Sequence, residues 1–345
     1  MFIRTFLVVF RRIGMATLKD VAKLACVDIS TVSRALNNTG YVHPDTKKRV
    51  YAAAKELGYH PNVMAQALRQ GKRHTIGVIV PSFFLSVFAG IVMGINQEAQ
   101  KQNYAVLLCN SSDDPAIEKE CLNRLRSGFI DGLIIGSTGR NAHLIQDIQA
   151  SGTPIVQVIR EQVPRINSIV ADYEATGYET VQYLYGLGSR SIGFLGGNKK
   201  ITPFRDRYAG YQRAIQELGL PELTIPSSFV GHSFEHGYRE AQELLFQYPQ
   251  LDAIITSVDS QGLGVLRLLK EQKKRVPEDI RVMSLTGHSI GALLETSMTA
   301  MEIPAIEIGV SAVKMLLEEI NAPEDTHPIP KRLVFTAELV EREST

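Results

Sequence analysis

The 345-residue chain has few cysteines, only Cys26, Cys109 and Cys121, and none stands in a CxxC pair or a Cys/His cluster. So sparse and odd a count excludes a disulfide framework and a zinc motif, and the three read as reduced thiols. Long apolar runs are also missing. The best candidate, Phe6 to Phe10, is flanked by arginines and falls far short of the ~18–20 residues needed to span a bilayer. That stretch has the look of a truncated signal peptide, but Gly14 is followed directly by Met15 with no cleavage region. Residues 1–14 are therefore read as an extension ahead of a domain that starts at Met15. These absences set cytoplasmic as the expected location. The C-terminus also lacks a leucine heptad of the kind that builds tetramers, and reads as a final strand from Leu333 followed by a charged tail.

A single compact core is excluded by length, and two or three folding units are expected. The net charge of +1 conceals an uneven distribution. Residues 1–75 carry 13 Lys/Arg against 4 Asp/Glu, whereas the remainder carries 24 against 32. A basic head on an acidic body points to a polyanion met by the head alone, against the plainer reading of a solvated basic face.

From Thr17 to about Tyr59 the apolar spacing predicts three short helices. The first covers roughly 18–25, with Leu18, Val21, Ala22, Leu24 and Ala25 at turn-like spacing. The second starts after Asp28, whose carboxylate is expected to cap it, and runs to about Asn37. The third begins near Pro44 and ends at Gly58. Two short helices around a tight turn have the layout of a helix-turn-helix, with Ile29, Ser30, Thr31, Ser33 and Arg34 outward and Val32, Ala35 and Leu36 inward. An arginine fork matches a guanine edge, and hydroxyls at the helix start suit phosphates. From Thr75 the texture changes to apolar runs of strand length alternating with helical segments: Ile76–Val80, Ala105–Cys109, Gly132–Ile135, Ile155–Val158, Ile192–Leu195, Ala253–Thr256 and Val282–Leu285. The alternation predicts an α/β body of parallel, doubly wound sheets, too long for one sheet and divided into two lobes. Ligands in such folds sit beyond the carboxyl ends of strands, here the loops after Val80, Ile135, Val158, Thr256 and Leu285.

The strings Thr17-Leu18-Lys19-Asp20-Val21-Ala22, Thr31-Val32-Ser33-Arg34-Ala35-Leu36-Asn37, Glu56-Leu57-Gly58-Tyr59 and Ile76-Gly77-Val78-Ile79-Val80-Pro81 resemble the LacI/GalR family of repressors. The likeness extends from Met15 to the C-terminus. It implies a helix-turn-helix domain over 15–60, a hinge helix and linker over 61–73, and a periplasmic-binding-protein-like effector and dimerisation domain over 74–345. Lobe one is expected at about 74–174 and 303–330, and lobe two at about 175–302 and 331–345. The resemblance implies that Ile29, Ser30 and Arg34 read major-groove bases of a palindromic double-stranded operator, that Thr17, Thr31, Ser33 and Asn37 touch its backbone, and that Leu68 wedges into the minor groove. The competing reading of Leu68 is a core leucine. A homodimer is expected, and no cofactor or metal.

In the body, Ser191-Ile192-Gly193-Phe194-Leu195-Gly196-Gly197 and Arg207-Tyr208-Ala209-Gly210-Tyr211 also match the family pattern. Carried over by motif, Arg207 is the leading effector ligand, against a surface ion pair with Asp206. The strand-end loops add Ser82, Phe83, Phe88, Ser137, Arg160, His232, Val258, Asp259 and Ser289; aromatic faces and a few polar groups are the usual makeup of a sugar pocket. The effector is expected to be a sugar or sugar phosphate; where the family often carries acids this chain has Ile159 and Gly287-His288-Ser289-Ile290, and with Lys199, Lys200, Arg205 and Arg207 close together that departure points to the phosphorylated form. The strings from Leu285 to Pro304 resemble the sucrose-operon repressor branch. Two rival readings stand beside this one. Gly287-His288-Ser289-Ile290-Gly291 spells the G-x-S-x-G of an esterase elbow between an expected strand and helix, with His327 downstream but no HGGG-type oxyanion loop. A sugar-binding transport protein would share the body and have no use for the head.

Overall fold

The computed structural model describes residues 16–59, 72–229, 231–287, 289–323 and 329–345. The chain divides into a unit ending at Arg73 and a unit from His74 to Thr345.

In the first unit, α1 (Leu18–Ala25), α2 (Ile29–Asn37) and α3 (Pro44–Glu56) enclose a small core. Val21, Val32 and Val50, one from each helix, are wholly buried, with Ala22, Ala25, Ala35, Ala53 and Ala54 filling the gaps between backbones. Thr17 and Asp20 close a reciprocal cap on α1: the Thr17 amide and hydroxyl donate to the Asp20 carboxylate at 2.9 and 2.6 Å, and the Asp20 amide donates back at 3.3 Å. Asp28 occupies the N-cap of α2, but its side chain accepts no capping hydrogen bond, contrary to the expectation from sequence. Pro44 sits in the first turn of α3, as a residue without an N–H prefers.

The second unit holds two sheets. The first lobe has a six-stranded parallel sheet ordered β10-β5-β4-β3-β1-β2, built from β1 (Thr75–Val80), β2 (Ala105–Asn110), β3 (Gly132–Ile135), β4 (Ile155–Val158), β5 (Asn167–Ala171) and β10 (Arg332–Phe335). Helices α4 (Ser86–Lys101), α5 (Pro115–Arg126), α6 (Ala142–Ala150) and α11 (Ala305–Ile320) cover it. The second lobe orders β11-β9-β8-β7-β6, from β6 (Ile192–Leu195), β7 (Ala253–Thr256), β8 (Arg281–Ser284), β9 (Thr299–Glu302) and β11 (Glu338–Val340), with only β11 antiparallel. Its helices are α7 (Tyr173–Gly186), α8 (Thr202–Glu217), α9 (Phe234–Gln247) and α10 (Asp259–Glu271). Every residue of β3, β4, β6 and β7 is buried, as befits strands with helices on both faces.

One boundary needs correcting. Residues 332–335, assigned from sequence to lobe two, pair with Ser168–Ala171 in lobe one. β5 would otherwise be the sheet edge, and the chain leaving α11 runs beside it before crossing to β11. The polypeptide thus passes between lobes three times, after Ala171, after Glu302 and after Phe335.

Helix pairs within the lobes meet at backbone distance. A Cβ on Gly177 of α7 would lie 2.1 Å from the Arg207 carbonyl oxygen of α8, and one on Gly210 would lie 2.0 Å from the Glu174 oxygen. Gly94 and Gly309 stand in the same relation between α4 and α11, and Gly237 and Gly264 between α9 and α10.

Candidate functional site

The turn before α2 sets the presentation of that helix. Cys26, the C-cap of α1, adopts φ 53° and ψ 50°, a left-handed conformation that glycine enters freely and an L side chain enters at a cost of about 1 kcal/mol. Cys26→Gly is expected to raise the urea midpoint of the head's unfolding transition, corresponding to about 0.5 kcal/mol, because relief of strain outweighs the extra freedom of the unfolded chain. An unchanged or lower midpoint would count against strain at the turn.

Beyond the turn, α2 exposes Ile29, Ser30 and Arg34, while Val32 and Ala35 point into the core. Thr31, Ser33 and Asn37 are partly covered. The Arg34 guanidinium lies back along its helix, donating from Nε to the Ser30 carbonyl at 3.3 Å and from Nη2 to Thr31 Oγ1 at 3.5 Å. Asn37 Nδ2 donates to Ser33 Oγ at 3.3 Å. These long contacts hold the polar face in order without sequestering its charge. The Thr17 hydroxyl is already engaged in the α1 cap. Leu68 lies outside the described residues.

In the body, the carboxyl ends of both sheets frame a cavity of about 1000 Å³ between the lobes. Ser82 and His232 line it; so do Asn198, Lys200, Ser233 and Ser260. Beside it lies a crevice of about 20 Å³ where Phe88, Arg160, Arg207, Val258 and Asp259 meet. Arg207 is 3% exposed, which removes the surface ion pair from consideration; Asp206 is paired with Arg205 instead. Its Nη1 donates to the Ser257 carbonyl at 3.1 Å, and its Nε has no partner among the described residues. Burial draws its pKa down to about 10, against the pull of Tyr173 and Asp259, so the guanidinium remains charged at neutral pH. A buried donor without an acceptor is costly in a closed protein, and the Ser257 hydroxyl next to it is in the same position.

Arg160 lines the same crevice but is already paired. It is fully buried in lobe one and forms a fork with Asp113, Nη1 to Oδ1 at 2.5 Å and Nη2 to Oδ2 at 2.9 Å. The preceding residue, Ile159, has φ 66°, a strained conformation for a β-branched side chain, and its carbonyl accepts from the Tyr173 hydroxyl at 2.8 Å. Asp259 accepts a 2.5 Å hydrogen bond from Ser86 Oγ, which ties the first turn of α10 in lobe two to the first turn of α4 in lobe one. Burial, followed by the charge of Arg160, lowers the pKa of His232, whose ring packs 5.2 Å from Phe204.

Two sequence candidates, Ser137 and Phe83, stand outside the cavity lining, and a third, Ser289, has no described side chain. Ser137 is buried and donates to Glu118 at 3.3 Å; its neighbour Thr138 lines the space instead. Phe83 is exposed outside the lining, which Phe84 joins. Ser289 opens a 3₁₀ turn, Ser289–Leu293, five residues after β8 ends, and its side chain lies outside the described set. A nucleophile elbow needs a strand running straight into an α-helix, and this segment offers neither junction; His327 also falls outside the described residues. Sequence reading named Lys200 as part of a basic cluster, but missed Asn198 because the loop after Leu195 was passed over, and Asp113 because its partner Arg160 is 47 positions distant. Among the described residues no group of three or more His, Cys, Asp or Glu is placed to hold a metal, and no helix is long and apolar enough to cross a membrane.

Residues 17–62 match the model of bacterial regulatory proteins of the lacI family, and residues 73–342 match that of periplasmic binding proteins and the sugar binding domain of the LacI family. The HTH-type transcriptional regulator RegA of Clostridium saccharobutylicum is 32% identical over 337 residues, spanning 96% of this chain and all of that protein. Among solved structures, the transcriptional regulator CelR in complex with cellobiose is 28% identical with a TM-score of 0.71, and the Lac repressor bound to ONPG in its repressed state is 25% identical with a TM-score of 0.83. Each covers 96% of this chain and all of its own. Head, cleft and both family matches lead to one statement: the chain belongs to the LacI family and is a DNA-binding transcriptional regulator.

Proposed function

We propose that this regulator is a cytoplasmic repressor of a carbohydrate-utilisation operon, gripping a palindromic operator as a homodimer and responding to a sugar or sugar-phosphate effector in the interlobe cleft. The observation that carries the DNA half is the division of α2, with Val32 and Ala35 buried and Ile29, Ser30 and Arg34 exposed. A recognition helix must present its polar face without loosening its own core. Support for the effector half comes from the buried, incompletely paired Arg207 in the crevice beside the cleft, and from the cellobiose and ONPG that the two solved relatives bind. The homodimer reading draws on β2, an edge strand that exposes Leu107 and Leu108, with Ile117 on α5 exposed as well. An apolar edge of this kind is a liability unless a second copy covers it.

In operator terms, Ile29, Ser30 and Arg34 read bases, Thr31, Ser33 and Asn37 meet phosphates, and the Thr17 cap aims the α1 N-terminus at the backbone. Leu68 is kept as the minor-groove wedge. Binding to twofold-symmetric duplexes should weaken steeply with salt, since phosphate contacts release counterions. Arg34→Ala should cost about 1–3 kcal/mol at one base position and relax the preference there, as read by competition among single-base operator variants. Equal weakening on every sequence would assign Arg34 to phosphate alone. A purified dimer that shifts no symmetric duplex, with or without sucrose, its component hexoses and their phosphates, would end the operator reading.

A further inference from the structure

We infer that the interlobe cavity is a clamp for a phosphate monoester of a sugar, closed by Arg140 from lobe one and Lys200 from lobe two. The inference rests on the effector reading above and narrows it to one ligand class.

Arg140 follows β3 and Lys200 follows β6, so the two reach the same cavity from opposite sheets. Neither side chain has a hydrogen-bond or ion-pair partner among the described residues. Neighbouring cations are spoken for: Arg205 by Asp206, Lys199 by the face of Tyr208 at 3.8 Å, and Arg160 by Asp113. The acids of the lining offset at most one of the two cations, because Glu235 keeps its charge while Asp113 is already neutralised. Both oxygens of Asp113 are held by the Arg160 fork, and Glu235 accepts the Ser233 hydroxyl in the first turn of α9. The cavity wall is otherwise largely apolar, with Phe84, Leu85, Ile201, Phe234 and Leu263 available to a sugar ring, and Ser82, Asn198 and Ser260 to its hydroxyls.

Two like charges carried by separate lobes oppose closure when nothing lies between them, and a dianion placed between them turns that repulsion into attraction on both sides. A phosphate monoester supplies close to two negative charges at neutral pH with three acceptor oxygens. A neutral sugar fits the apolar wall and leaves the excess positive charge unanswered. The charge pair therefore makes the ligand's phosphate the element that joins the lobes, while the ring selects among sugars.

The test uses the full-length protein and its Arg140→Gln, Lys200→Gln and double variants, titrated calorimetrically with a panel of hexoses and disaccharides, their phosphate monoesters and inorganic phosphate. Both side chains are exposed, so the variants should fold like the parent, which a melting curve checks. Expected is a monoester bound at least about tenfold tighter than its free sugar. A loss of about tenfold in each single variant should follow, more in the double, with free-sugar affinity unmoved. A free sugar that binds as tightly as its ester, or an ester whose affinity ignores both substitutions, overturns the clamp and leaves the effector reading standing. Inorganic phosphate binding as tightly as any ester also overturns it, as an anion site without sugar recognition. If no carbohydrate binds in either form, the effector reading falls and takes the clamp with it.

Discussion

Arg207→Met is expected to leave operator affinity in the absence of effector within about twofold of the parent and to abolish the change that effector produces. The side chain lines the narrow crevice beside the cavity, buried, charged and short of one acceptor. A hydrogen bond from a charged donor contributes about 1.5–3 kcal/mol, so its loss should weaken effector by at least about tenfold. Methionine is chosen because it fills most of the arginine's volume without burying a charge. Because the change also takes a donor from the Ser257 carbonyl and a cation from buried Asp259, and removing one partner of a buried pair is destabilising, a melting curve of the variant is measured beside the response to separate a lost response from a lost fold. Operator titration by fluorescence anisotropy, with and without effector, gives the answer. A full response in the variant would make Arg207 a structural member of the crevice, held by Ser257 and Tyr173.

Gly177→Val should be among the most destabilising single changes outside the strands. Even the first carbon of the new side chain would lie 2.1 Å from the Arg207 carbonyl oxygen. Since both parties at the contact are backbone, no rotamer change relieves it, and α7 must move away from α8. Overpacking of this kind costs about 1–3 kcal/mol where side chains can yield, and more where they cannot. The melting temperature of the body should fall by several degrees. Effector response should fail even at temperatures where the variant stays folded, because the displaced atom belongs to Arg207 itself. Gly186→Ala is the control, since a Cβ there meets nothing within 4 Å, and it should melt like the parent. Equal stability of Gly177→Val and the parent would refute the close crossing.

Much of this was open to reading in advance, for identifiable reasons. The α1 and α2 boundaries follow from apolar spacing and turn residues, and the seven strands marked from sequence all exist because fully buried parallel strands are dense in Ile, Val and Leu. β5, Asn167–Ala171, was missed since Asn167 and Ser168 interrupt its apolar run, and β9 since Thr299-Ala300-Met301-Glu302 has neither length nor β-branched density. The sheet membership of residues 332–335 depends on a partner 164 positions earlier, and no local pattern encodes such a pairing. At the cleft, chain position located Ser82 and His232, but the exchange of roles between Phe83 and Phe84, or Ser137 and Thr138, turns on one residue of loop twist. Arg160 and Arg207 look alike in the sequence. Only the fold shows that one is neutralised by Asp113 while the other keeps an unanswered donor.

The three passages of the chain between lobes have a mechanical corollary. Ala171 and Phe335 end neighbouring strands of one sheet, so two of the linkers leave lobe one side by side, and the glycine crossings lock each helix pair into a plank that cannot slide internally. With the lobes joined only by these linkers, a swing of lobe against lobe is the motion that the backbone contacts within the lobes oppose least. Whatever occupies the cleft therefore exerts leverage far from where it touches, because a small change of angle near the linkers becomes a larger arc at the outer rim.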